Sequence, residues 1–132
     1  MLIAANIFLE LLLEQKNSGR CRTFMNKTAK GEINAVVSDF TIDSVILVMS
    51  NHKVSKEEMK EFINKLINSK GIAIYSVSMR DRLQAINIMG RYGLDYEDSV
   101  ILQTALSTKS KEIMSFDRHF DKISGIKRIE PD

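Results

Sequence analysis

The chain has 132 residues, enough for one domain with a core of its own and short of two. Apolar residues make up 44% and charged residues 27%, which excludes a disordered or fibrous chain and fits an ordinary soluble globular one. The formal net charge is +2, so attraction to a phosphate backbone would have to come from a local patch, not from the molecule as a whole.

The predicted elements alternate. Leu2 to Ala5 reads as a short buried strand that ends on Asn6 and runs into a helix. Lys16-Asn17-Ser18-Gly19 reads as a break, with Gly19 as the stop, before a second helix over 20–30 that ends at Gly31. Residues 34–38 form the next strand; Asp39 is the expected N-cap of an apolar helix over 40–50. Ser55, with Glu58 three residues on, has the capping-box pattern and opens a helix ending near Gly71. A strand follows over 72–75. Ser78 caps a helix running to Gly90 or Gly93, and Asp95 opens another that carries Asp98 in its first turn. Residues 112–116 form a strand, Asp117 follows it, and 127–129 form a last short strand. Strands alternating with helices predict a parallel sheet covered on both faces.

Several classes fall away. A single cysteine, Cys21, cannot form an internal disulfide and fits a reducing compartment. His52 and His119 have no His or Cys neighbour at zinc spacing. The apolar stretch from Met1 to Leu13 has no basic lead, is interrupted by Asn6 and Glu10, and is too short to span a bilayer. A cytoplasmic protein without a membrane partner is therefore expected. No GxxxxGK[ST], GxGxxG or GxSxG motif is present, which argues against a P-loop enzyme, a dinucleotide oxidoreductase and an α/β-hydrolase.

In open parallel sheets, sites form beyond the carboxyl ends of the strands. Asn6 follows the first strand. Ser38 and Asp39 follow the second, with Thr41 and Ser44 one turn further. Asp117 follows the fourth, and Asp121 lies one turn beyond it. Asn6, Asp98 and Asp117 are thus placed to converge. Magnesium or manganese takes hard oxygen donors, commonly one or two carboxylates with water, and such an ion suits phosphodiester hydrolysis. Each residue also has a plainer reading. Asp98 completes a capping pattern opened by Asp95, Asp117 caps the turn over 118–122, and Asn6 is a turn residue.

At these residues the chain resembles the PIN-domain family, which includes VapC-type ribonuclease toxins. Leu2-Ile3-Ala4-Ala5-Asn6-Ile7-Phe8 resembles the opening strand, where the family has Asp-x-Asn. Val37-Ser38-Asp39-Phe40-Thr41-Ile42-Asp43-Ser44 resembles the second strand and its helix. The segment from Gly93 to Ile101 resembles the one carrying the third acid, on Asp98, and Ile113-Met114-Ser115-Phe116-Asp117-Arg118 the strand carrying the fourth, on Asp117. Two positions depart from the pattern: Ala4 stands where the first acid falls, and Ser44 where the second does.

The resemblance implies a single PIN-like domain over 1–132, of three α/β/α layers around a mainly parallel sheet of four to five strands. It implies a Mg²⁺ or Mn²⁺ site on Asp98 and Asp117, with Asn6 beside them as a catalytic residue. Ser44, Thr41, Ser115 and Asp121 are expected to support it, Ala4 marks a missing ligand, and Arg118, directly after Asp117, is the expected phosphate contact. RNA as substrate and an antitoxin protein as partner follow from the same resemblance, and a homodimer is expected beside them. The leading expectation is a PIN-like endoribonuclease toxin with impaired or lost activity. Its rival is a catalytically inactive PIN-like module that binds RNA or protein, and a purely structural subunit that dimerises through the helix over 40–50 stands third.

Overall fold

The centre of the molecule is its shortest strand. In a computed structural model describing residues 1–132, β1 (Leu2–Ile3) lies between β2 (Ala35–Ser38) and β4 (Glu112–Met114), and the five-stranded sheet runs β3-β2-β1-β4-β5. Here β3 is Ile72–Tyr75 and β5 is Lys127–Ile129, and every pairing is parallel. Leu2 pairs with Val36 on one side and Ile113 on the other, and Ile3 with Met114. A parallel strand flanked on both sides and covered on both faces must be apolar throughout, as Leu2 and Ile3 are.

Alternation across the sheet separates two cores. Ile3 and Met114 belong to one, with Ile7 and Phe8 of α1 (Ala5–Leu12), Phe24 of α2 (Ser18–Lys30), Val45 and Met49 of α3 (Asp39–Asn51), and Phe62 and Leu66 of α4 (Lys56–Asn68). Leu2 and Ile113 belong to the other, with Ile88 of α5 (Met79–Tyr92), Ile101 and Leu102 of α6 (Tyr96–Ser107), and Phe120. This is a three-layer α/β/α arrangement with five strands, as expected for a PIN-like fold.

Local chemistry moves several predicted boundaries. Ser38, not Asp39, caps α3: its hydroxyl accepts from the Thr41 N–H at 3.0 Å. Asp39 instead accepts from the Val77 N–H at 3.0 Å and ties α3 to the segment after β3. Gly19 sits in the first turn of α2, and the break falls just before it, where the Glu10 carboxylate accepts from the Asn17 N–H. Ser55 accepts from the Glu58 N–H, but the reciprocal capping box forms at Ser78 and Asp81. β4 stops at Met114, two residues short of the predicted end, because Ser115 and Phe116 turn into the site. Gly31 and Gly93 end α2 and α5 in the left-handed conformation, φ 81° and 66°.

Candidate active site

The carboxyl ends of β1 and β4 and the first turn of α6 meet in one place. Asp98 comes from α6, whose N-cap Asp95 accepts from the Asp98 N–H at 2.8 Å and so fixes the turn that carries it. Asp117 caps the 3₁₀ turn η1 (Arg118–Lys122), accepting from the His119 N–H at 2.9 Å. His119 then completes a triangle: its Nδ1 lies 3.1 Å from Asp98 Oδ2 and 3.0 Å from Asp117 Oδ1.

Beneath the carboxylates is a buried hydroxyl. Ser115 is fully buried, and its Oγ accepts from the Asn6 side-chain amide at 2.9 Å and from the Asp117 N–H at 3.0 Å. The Asn6 Oδ1 in turn accepts from the Phe116 N–H at 3.1 Å. Asn6 therefore grips both residues before Asp117 and sets the direction of that turn. It makes no hydrogen bond to either carboxylate, so its place is one of positioning.

The electrostatics are those of a site short of positive charge. Asp98 is 8% exposed, and its only side-chain partner is His119. Burial pushes its carboxyl above the ordinary range, the His119 hydrogen bond opposes this, and Asp117 and Asp95 add to the rise. The His119 imidazole is raised in turn, first by its bond to Asp98 and then by Asp117. No Lys or Arg forms an ion pair with Asp98 or Asp117. Two carboxylates and an imidazole nitrogen, all within 4.8 Å of one another, form a donor set that fits a small divalent ion with waters completing its shell.

The other predicted site residues are placed differently. Ala4 is buried at the N-cap of α1, makes no cap bond, and joins the apolar cluster of Leu94, Leu102 and Phe120. Its N–H donates to the Met114 carbonyl at 3.0 Å, which sets position 4 at the seam of β1 and β4, where the site begins. Thr41 is buried and bonded only to Ser38, within the α3 cap. Ser44 is half-buried and makes no side-chain hydrogen bond. Asp121 lies outside the triangle, paired with Arg128 at 2.7 Å. Arg118 is exposed and unpaired beside Asp117.

His119 was not among the candidates read from sequence, because it has no His or Cys neighbour at zinc spacing. The signal that finds it is Asp117-x-His119 directly after a strand. A second polar group was also missed. Asp81 is 6% exposed; it accepts from the Tyr75 hydroxyl at 2.7 Å, the Ser107 hydroxyl at 2.8 Å and the Gln103 amide at 3.3 Å. Every bond there is satisfied, and the network pins α5 and α6 to β3.

A five-stranded parallel sheet covered by helices on both faces defines a three-layer α/β protein, with two carboxylates and an imidazole gathered beyond β1 and β4. The PIN-domain family model matches residues 1–126, and the chain belongs to that family. No curated protein sequence matches it significantly. Among solved structures it is similar to VapC20 of Mycobacterium tuberculosis, described as a Sarcin-Ricin loop cleaving toxin, with TM-score 0.75 and 9% identity over 96% of this chain and 98% of that one. It is similar to a toxin-antitoxin complex from Klebsiella pneumoniae, with TM-score 0.69 and 16% identity over 95% and 93%. It is also similar to VapBC2 of Rickettsia felis bound to a promoter DNA fragment, with TM-score 0.67 and 16% identity over 99% and 98%. At these identities the likeness is one of fold.

Proposed function

We propose that this chain, acting as a single PIN-like domain, is a metal-dependent endoribonuclease and the toxin of a toxin–antitoxin pair, with activity impaired by Ala4. The observation that carries the reading is the convergence of Asp98 and Asp117, from separate elements, near the carboxyl ends of the strands, with no Lys or Arg paired to either and only the His119 imidazole against them. When bound, a Mg²⁺ or Mn²⁺ ion polarises a phosphoryl oxygen and lowers the pKa of an attacking water. Asp98 and Asp117 hold it. Ser115 and Asn6 keep the Asp117 turn in place, and the exposed Arg118 meets the RNA backbone.

An antitoxin partner is supported by the toxin-antitoxin complexes among the similar structures. A homodimer is supported by an exposed apolar stripe on α5, Met79, Leu83 and Ile86, at helical spacing and 77%, 60% and 56% exposed. No helix is long and apolar enough to cross a membrane, and Cys21 is a free, buried thiol; a cytoplasmic setting accords with both.

The test is Mn²⁺-dependent cleavage of a mixed RNA pool by the chain, by Ala4→Asp, and by Ala4→Asp combined with Asp98→Asn. Cleavage by Ala4→Asp and not by the double variant is the expected result. Cleavage by none of the three would sink the nuclease reading. It would favour the second reading, an inactive RNA- or protein-binding module, for which the apolar burial of Ala4 and the unbonded Ser44 are the supporting observations.

A further inference from the structure

With Ala4 and Ser44 offering no carboxylate, the site retains two acidic donors, and a third donor stands against both. His119 Nδ1 is a single atom lying 3.1 Å from one carboxylate oxygen and 3.0 Å from the other. An octahedral ion with bonds of about 2.1 Å separates adjacent donors by about 3.0 Å. The two spacings match that edge. The ring is positioned by the backbone and not by chance contact: the His119 N–H donates to the same Asp117 oxygen, so the turn that carries the imidazole is capped by the carboxylate it meets. Nothing competes for Asp98, whose buried carboxylate has no other side-chain partner.

We infer that His119 Nδ1 is a direct ligand of the divalent ion, standing in for the carboxylates absent at positions 4 and 44, and that the site consequently prefers Mn²⁺ to Mg²⁺. Replacing a carboxylate by an imidazole removes a negative charge and a hard oxygen. That weakens the hold on Mg²⁺, which takes oxygen donors, more than on first-row ions that accept nitrogen. The inference rests on the metal-nuclease reading above and adds to it the identity of the third donor and the order of ion preference.

The experiment uses the full chain with Mn²⁺ and Mg²⁺ as the probes. Mn²⁺ affinity is followed by loss of the free-ion EPR signal, and coordination by pulsed EPR, in which a bound imidazole shows as nitrogen coupling. Mg²⁺ is measured by competition. The parent and His52→Ala should both bind Mn²⁺ with nitrogen coupling, since His52 lies exposed at the end of α3 and away from the triangle. His119→Ala should lose the coupling and bind Mn²⁺ at least about 10-fold more weakly. His119→Asp should lose the coupling and narrow the gap between Mn²⁺ and Mg²⁺. Mn²⁺ bound without nitrogen coupling, and unaffected by His119→Ala, overturns the assignment while leaving the nuclease reading intact. Failure of both the parent and Ala4→Asp to bind any ion overturns that reading and this inference with it. If His119→Ala does not fold, the coupling in the parent and in His52→Ala decides alone.

Discussion

Aspartate at position 4 should add a third carboxylate beside Asp98 and Asp117, and its energetic cost can be worked from the surroundings. Position 4 is 2% exposed, in the apolar cluster with Leu94, Leu102 and Phe120, and is an N-cap whose side chain caps nothing. A carboxylate gains the missing cap bond, about 1 kcal/mol. It loses several kcal/mol on leaving water, because no cation faces it. The metal-free variant should therefore be less stable than the parent by about 2–3 kcal/mol, roughly 10 °C in Tm at about 4 °C per kcal/mol. A divalent ion reverses the balance. At 100 times its Kd it adds about 2.7 kcal/mol, close to the whole deficit, while a parent site binding ten-fold more weakly gains about 1.4 kcal/mol at the same concentration. Scanning calorimetry of both proteins with and without Mn²⁺ measures each quantity, and RNA turnover should rise by at least about 100-fold with the added ligand. An Ala4→Asp protein as stable as the parent without metal, and gaining nothing from Mn²⁺, would refute the idea that position 4 faces the ion.

Asp98→Asn should abolish Mn²⁺-dependent stabilisation and leave the metal-free protein as stable or about 1 kcal/mol more so, since it removes a buried charge; calorimetric titration and thermal unfolding check both. Ser115→Ala strands the Asn6 amide and the Asp117 N–H, both donors to its Oγ, and should cost about 2 kcal/mol in urea unfolding along with metal affinity. Burial alone would raise the Asp81 carboxyl, but bonds from the Ser78 N–H, Tyr75, Ser107 and Gln103 hold it well below the usual carboxylate range. A depressed folded pKa contributes stability that is fully present above the unfolded value, near 3.9, and lost as pH falls below it. The stability advantage of the parent over Asp81→Asn, about 2–3 kcal/mol at pH 7, should thus shrink steadily from about pH 5 to pH 2; a constant difference would refute the assignment. Leu83→Glu, in the middle of the α5 stripe, should convert a dimer to a monomer in light scattering without loss of Tm, and an unchanged mass would remove that stripe as the contact.

Much of the fold was legible because its signals are local. The apolar runs of the strands, the cap residues Ser55, Ser78 and Asp95, and the left-handed glycines Gly31 and Gly93 each act within a few residues. Boundaries failed where two residues compete for one role. Ser38 and Asp39 both suit an N-cap, and the choice went to Ser38 because a long-range partner, the Val77 N–H, holds Asp39. The site was legible only as far as its acids. Asp98 and Asp117 fall at positions that strand ends and helix starts mark in any parallel sheet. Asp121 falls one turn beyond Asp117 but turns to Arg128, across a pairing that spacing does not reveal. His119 was hidden for the opposite reason. Its partners are one neighbour, Asp117, which the Asp-x-His spacing records, and one residue on another helix, Asp98, which no spacing records.

The same geometry explains how Asp98 and Asp117 keep their places with alanine at position 4 and serine at position 44. Asp98 and Asp117 are each held by protein groups. Asp98 is fixed through Asp95, which caps its helix, and Asp117 through the His119 N–H and Ser115, with Asn6 behind. These are bonds to backbone and to a buried hydroxyl, each contributing about 0.5–1.5 kcal/mol with or without a metal. Position 4 adds only its backbone N–H to this frame, so an alanine there removes a donor without loosening the others. Chemistry and scaffold are therefore separable at this corner. A carboxylate at position 4 should cost stability through its own burial and leave the bonds that hold Asp98 and Asp117 intact, whereas substitutions at Ser115 and Asn6 should loosen the Asp117 turn itself.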